Sequence, residues 1–159
     1  MVRFETMADA SDLALALAGT RVLSLAPNIP GPLAASRLRD LGARVTKVES
    51  PHGDPLARAA PAWYAALHRD VERVVLDLKV PSDRVALDAL LAETDVLLTS
   101  SRPSSLVRIG LGWNVLHAAY SQLVHVAIVG ESAPHDERPG HDLTYAAQAG
   151  LLEPPALPR

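Results

Sequence analysis

A chain of 159 residues, 48% apolar and 21% charged, has the length of one domain and enough apolar side chains for a core, which excludes a charge-rich disordered tail. Its net charge of −3 excludes general binding to a nucleic-acid backbone, which needs a basic face. Zero cysteines exclude disulfides, thiolate metal sites and a thiol nucleophile.

Residues 1–20 predict an N-terminal extension with a helix, for which Ser11 or Asp12 is the cap ahead of Leu13, Leu15 and Leu17. Residues 21–26 (RVLSLA) form a β-favouring run closed by Pro27, Pro30, Gly31 and Pro32, so a strand runs into a loop. Pro32 then opens a helix over 33–41, where Leu33, Leu38 and Leu41 recur at helical spacing, and Gly42 ends it. Residues 44–49 alternate as a strand, which makes 21–49 a β-α-β unit with parallel strands. Residues 50–61, rich in Pro, Gly and Asp, predict a loop, and 62–68 a short helix. A second unit follows: a strand at 71–78, a helix at 81–91 with Leu87, Leu90 and Leu91 inward, and a strand at 95–99. Short helices at 103–110 and 115–120 precede a buried strand at 123–129, a polar loop at 130–140 and a helix at 141–152. Three prolines make 153–159 a linker-like end.

Leu and Ala supply 51 residues against six aromatics, and such small aliphatics suit helices packed on a buried parallel sheet. The expectation is an α/β fold with 21–152 as one domain. No apolar run reaches the roughly 18 residues of a membrane helix, and the N-terminus lacks a basic-flanked leader, so a soluble cytoplasmic protein with no membrane contact is expected.

Familiar nucleotide signatures are missing. The turn PNIPGP after the first strand has one glycine where a dinucleotide pyrophosphate needs several, and neither a P-loop nor a G-x-S-x-G elbow occurs. The six histidines form no H-x-x-x-H or H-E-x-x-H pair, so no metal site is expected. His125, inside an apolar strand, reads as a hydrogen-bonded core histidine. His141 follows Pro139-Gly140 and precedes Asp142, so it is either a helix start or an acid–base group, and spacing alone favours the former.

Four collinear segments carry a resemblance: residues 21–58, residues 71–79 (VERVVLDLK), residues 95–112 (DVLLTSSRPSSLVRIGLG) and residues 139–152 (PGHDLTYAAQAGLL). Together they resemble the amino-terminal part of the family III CoA-transferases, the CaiB–BaiF family, which includes α-methylacyl-CoA racemases. The resemblance implies a Rossmann-like, mostly parallel sheet flanked by helices, incomplete relative to the full family fold. It also implies acyl-CoA as substrate, no covalently bound cofactor, and a homodimer or a complementary C-terminal chain as partner. Coenzyme A would lie against Pro27, Asn28 and Ile29, with Lys79, Arg102, Arg108 and His141 also at the site; Arg and Lys suit its phosphates. Two departures stand out. Ser50 occupies the place where proline or arginine commonly follows Lys-Val-Glu, and the usual Asn-Arg-x-Lys-Arg lead is thinned to HRDVER at 68–73.

In the transferases of this family an aspartate attacks the thioester and carries the acyl group as a mixed anhydride. Its Leu-x-Asp-x-x-Gly segment would follow an Ala-Leu-Pro stretch, and PPALPR here ends at Arg159. The implied protein is therefore a truncated or split N-terminal part of a CoA-transferase. Alternatives are racemase-type proton transfer with His141 as base, and a non-catalytic CoA-binding or scaffold remnant.

Overall fold

The computed structural model describes residues 15–152; the expected N-terminal helix cap and the 153–159 segment lie outside them. Five strands form one parallel sheet in the order β3-β2-β1-β4-β5. They are β1 (Arg21–Ser24), β2 (Arg44–Glu49), β3 (Glu72–Val75), β4 (Val96–Thr99) and β5 (Val124–Ala127). The helices are α1 (Pro30–Asp40), α2 (Pro55–Ala59), α3 (Pro61–Leu67), α4 (Pro81–Ala92), α5 (Pro103–Arg108), α6 (Trp113–Ala119) and α7 (Asp142–Gln148). Among the described residues no helix is long and apolar enough to cross a membrane.

Alternation along the strands divides the core between the two faces of the sheet. Leu23, Val48 and Leu97 pack with Leu87 and Leu91 of α4, Leu106 of α5 and Leu116 of α6. Val22, Val45 and Leu98 pack with Ala35 of α1 and with Ala26 and Ala43. The α1 contact is close, because a Cβ on Gly31 would stand 2.2 Å from the Ala26 Cβ. That closeness explains one departure from expectation. Helix α1 buries Gly31, Pro32, Ala35 and Ser36, whereas Leu33 is 44% exposed; a helix lying this near a sheet presents its small residues.

Three further expectations need correction. The 50–61 loop contains α2, started by Pro55 and capped by the Asp54 side chain, which accepts from the Leu56 N–H. The strand expected to be buried at 123–129 is the shorter β5, an edge strand paired only with β4. With cover missing on that side, Val124 and Val126 are 55% and 42% exposed. Helix α7 is shorter than the 141–152 expected and buries none of its residues.

Candidate functional site

Strand order places the site. The chain moves from β1 to β2 and β3 on one side and then crosses to β4 and β5 on the other, so direction reverses between β1 and β4. Open α/β sheets hold ligands outside the carboxyl ends of their strands at such a reversal. The loops there are Leu25–Ile29 after β1 and Ser100–Arg102 after β4. Two cavities of about 380 and 310 Å³ open at this edge and share Leu25, Val48, Glu49, Ser50 and Ser101. The first extends to Pro27, His52 and Arg58; the second, lined by Leu76, Leu78, Leu106 and Ile109, reaches Asp77 and Lys79. A smaller cavity beyond β4 includes Arg102, Arg138 and Tyr145. At the opposite edge of the sheet lies a cavity of about 220 Å³ whose arginines, Arg21 and Arg44, are already paired with Asp95 and Glu72.

Beneath the first cavity sits a buried polar cluster. Lys47 shares a strand face with Val45 and is 3% exposed. Its ammonium bonds the Asp54 carboxylate, lies 3.3 Å from Glu49 Oε1 and lies 2.9 Å from His68 Nε2. The ammonium is thus hydrogen-bonded to Asp54 and His68 and paired with the Glu49 carboxylate. His68 Nδ1 is 2.7 Å from the Tyr64 carbonyl oxygen; with Nδ1–H donating there, Nε2 is free to accept from Lys47. Burial, reinforced by the Lys47 charge, holds the His68 pKa below its ordinary value. Glu49 Oε1 also accepts from Tyr64 OH at 2.6 Å, and Arg73 Nη1 donates to that phenol oxygen at 3.1 Å. Burial and the bond to Glu49 raise the Tyr64 pKa, against the opposing bond from Arg73.

Asp54 links this cluster to the loop after β1. Its oxygens accept the Asn28 N–H at 3.1 and 3.2 Å and the Leu56 N–H at 2.9 Å. Burial alone would raise its pKa, but Lys47 and these two N–H groups hold it below the usual carboxylate range. Ligand atoms of Glu49, Asp54 and His68 lie within 4.8 Å of one another, a spacing suited to a metal. The Lys47 ammonium occupies the centre of that set, so its charge is the one these donors neutralise.

Beyond β4 the contacts lie nearer the surface. The Glu137 carboxylate accepts from Ser104 N–H and Oγ at 2.6 and 2.8 Å, and these bonds lower its pKa. Arg108 donates to Ser105 Oγ at 2.9 Å. Thr99 Oγ1 is 2.9 Å from Nε2 of His125, which is half-buried and hydrogen-bonded, as expected from its strand. Gly130 and Gly140 make room for Tyr145, since a Cβ on either would stand 1.7 or 2.4 Å from its hydroxyl. His141 is exposed and starts α7, its N–H donating to Thr144 Oγ1 at 3.3 Å.

Of the residues singled out in the sequence, Pro27, Lys79 and Arg102 each line one of the three cavities. Asn28 and Ile29 follow Pro27 in the same loop, with Asn28 in the left-handed region at φ 66°. Arg108 and His141 stand on α5 and at the start of α7, apart from the first two cavities. Sequence reasoning missed Lys47, Asp54, Arg58 and His68. For Lys47 a signal existed: in RVTKVE it alternates in phase with Val45, the position that strand periodicity turns inward.

Comparison with known proteins agrees with this fold. Residues 17–155 match CoA-transferase family III. A cinnamoyl-CoA:phenyllactate CoA-transferase from Clostridium sporogenes is 36% identical over 147 residues, covering 84% of this chain and 36% of that protein. The succinyl-CoA–L-malate CoA-transferase beta subunit of Chloroflexus aurantiacus is 32% identical over 161 residues, covering 95% of this chain and 40% of the subunit. The crystal structure of a CaiB/BaiF family protein from Brucella suis superposes with a TM-score of 0.79 at 31% identity, over 84% of this chain and 39% of that one. The chain thus spans about two fifths of the length of these relatives. With a match over most of its length and the parallel sheet in common, the chain belongs to CoA-transferase family III.

Proposed function

We propose that this chain binds coenzyme A and its thioesters across the carboxyl edge of the sheet, as the CoA-binding part of a cytoplasmic enzyme that transfers CoA between carboxylic acids. The observation that carries the reading is the pair of joined cavities at the β1/β4 reversal, with cations at their rims. Arg58 and Lys79 stand there, Arg102 lies in the adjoining cavity, and none of the three is in an ion pair among the described residues. Such groups suit the diphosphate and 3′-phosphate of CoA, and the apolar lining around Leu76, Leu78 and Ile109 suits a purine ring. The acyl nucleophile belongs to the roughly three fifths of the relatives' length that this chain does not span.

Calorimetric titration of the purified chain with CoA tests the reading. Binding is expected, with Lys79→Ala and Arg102→Ala each weakening it about five- to tenfold and dephospho-CoA binding less tightly. Absence of binding at millimolar CoA, or unchanged affinity in both variants, overturns it.

A further inference from the structure

We propose that Asp54, held in place by Lys47, is a positioning residue for the coenzyme A site: it fixes the loop after β1 in its ligand-ready shape without touching the ligand. The inference rests on the CoA reading above for what the loop binds, and on geometry for how it is held.

The loop is held at two points. Asn28 sits at φ 66°, a left-handed conformation that asparagine adopts more readily than other residues with a Cβ. Both Asp54 oxygens accept the Asn28 N–H in that conformation and hold it there. Three residues further on, Gly31 lies so near Ala26 that no side chain fits between them. The turn that borders the first cavity is thereby pinned at its middle and at its exit.

Asp54 can do this only if its own position is fixed. Its side chain is 0% exposed, and the same carboxylate caps α2 through Leu56. Lys47 anchors it from the sheet, its ammonium also hydrogen-bonding His68 and lying 3.3 Å from the Glu49 carboxylate. Although Lys47 borders the first cavity, its charge is already met by the Asp54 and Glu49 carboxylates, so it organises the site while the exposed cations meet the ligand. A loop already in its bound shape loses less freedom on binding, and the gain appears as affinity.

The test compares Asp54→Asn with Leu116→Ala, a core truncation on α6 away from the loop, in the full 159-residue chain. Asparagine keeps an oxygen for Leu56 but loses the charge that Lys47 holds. Coenzyme A titrations are run at a temperature where both variants are folded, alongside amide exchange at Asn28. The expectation is that Asp54→Asn weakens CoA binding about tenfold and speeds Asn28 exchange by a similar factor, while Leu116→Ala lowers the melting temperature and leaves CoA affinity unchanged. Equal affinities in the two variants, or unchanged Asn28 exchange in Asp54→Asn, overturn the proposal. If Asp54→Asn does not fold, the unmodified protein decides through its amide shifts. Asn28 and Leu56 must titrate together at a midpoint below the ordinary aspartate value, and independent behaviour overturns the proposal. If the unmodified chain does not bind CoA, the functional reading fails, while Asn28 exchange still tests the brace.

Discussion

The two sides of the ligand edge are built differently. On the β1–β2 side the loops are tied by a buried charged cluster in which Lys47, Asp54, Glu49 and His68 satisfy one another. On the β4–β5 side the corresponding tie is Glu137 on Ser104, at the surface, and α7 buries nothing. Val124, Val126 and Leu143 are exposed there, although parallel strands are ordinarily covered on both faces. The contrast teaches where this chain is self-sufficient: it preorganises the loop after β1 by itself, and holds the segment leading to His141 with contacts that solvent can replace.

The largest expected effect comes from the buried side. Lys47→Met leaves two carboxylates facing each other without their cation, and breaking a buried pair in this way costs about 3–5 kcal/mol, measurable by urea unfolding. Glu137→Gln, its counterpart across the edge, should leave the urea midpoint nearly in place; a loss as large as that of Lys47→Met would erase the distinction. Next in size is Gly31→Ala. Its added methyl must displace α1 from Ala26, an overpacking cost of about 1–3 kcal/mol, and the displaced helix should weaken CoA binding. A variant as stable as the parent would show that the close approach is not needed.

Acid sharpens the comparison more gently. His68 is neutral in the native cluster with its pKa lowered, so the unfolded chain takes up the proton first and stability falls as pH drops below about 6.5. Half-buried His125, also lowered by burial, adds to the same window. Asp54, whose native pKa is depressed, contributes stability that is present above the ordinary aspartate value near 3.9 and is lost as pH falls through the native one. His68→Gln, whose amide oxygen can still accept from Lys47, should lose less stability between pH 7.5 and pH 5 than the unmodified chain. Equal losses would show that His68 does not carry the acid sensitivity. The smallest effect belongs to Glu137→Gln itself, whose signature is faster exchange of the Ser104 amide with unfolding unchanged.

The sequence made the framework legible because its signals are local. RVLSLA, RVTKVE and the helix opened by Pro81 carry their periodicity within a few residues, and the β-α-β hand follows from chirality. Helix α2 escaped because Pro55 and Asp54 read as turn residues, though proline at the first helical position behind an aspartate cap is also a helix start. Edge exposure of β5 escaped because an apolar run does not say how many neighbours it has. The brace escaped for a different reason: Lys47, Asp54 and His68 are brought together by the fold of the β2–β3 connection, and seven- and twenty-one-residue separations carry no periodic mark. Lys79 and Arg102, by contrast, were found through the family resemblance, whose matched segments run just past β3 and β4.

Hydrogen–deuterium exchange of the whole chain with and without coenzyme A tests the central claim most directly. The account predicts slowed exchange at Asn28, Ile29 and Gly31, over residues 49–58 and at Ser100–Arg102, with no change around Arg21, Arg44 and Glu93 at the opposite edge. Unchanged exchange at the carboxyl edge, or protection confined to the opposite one, would contradict it.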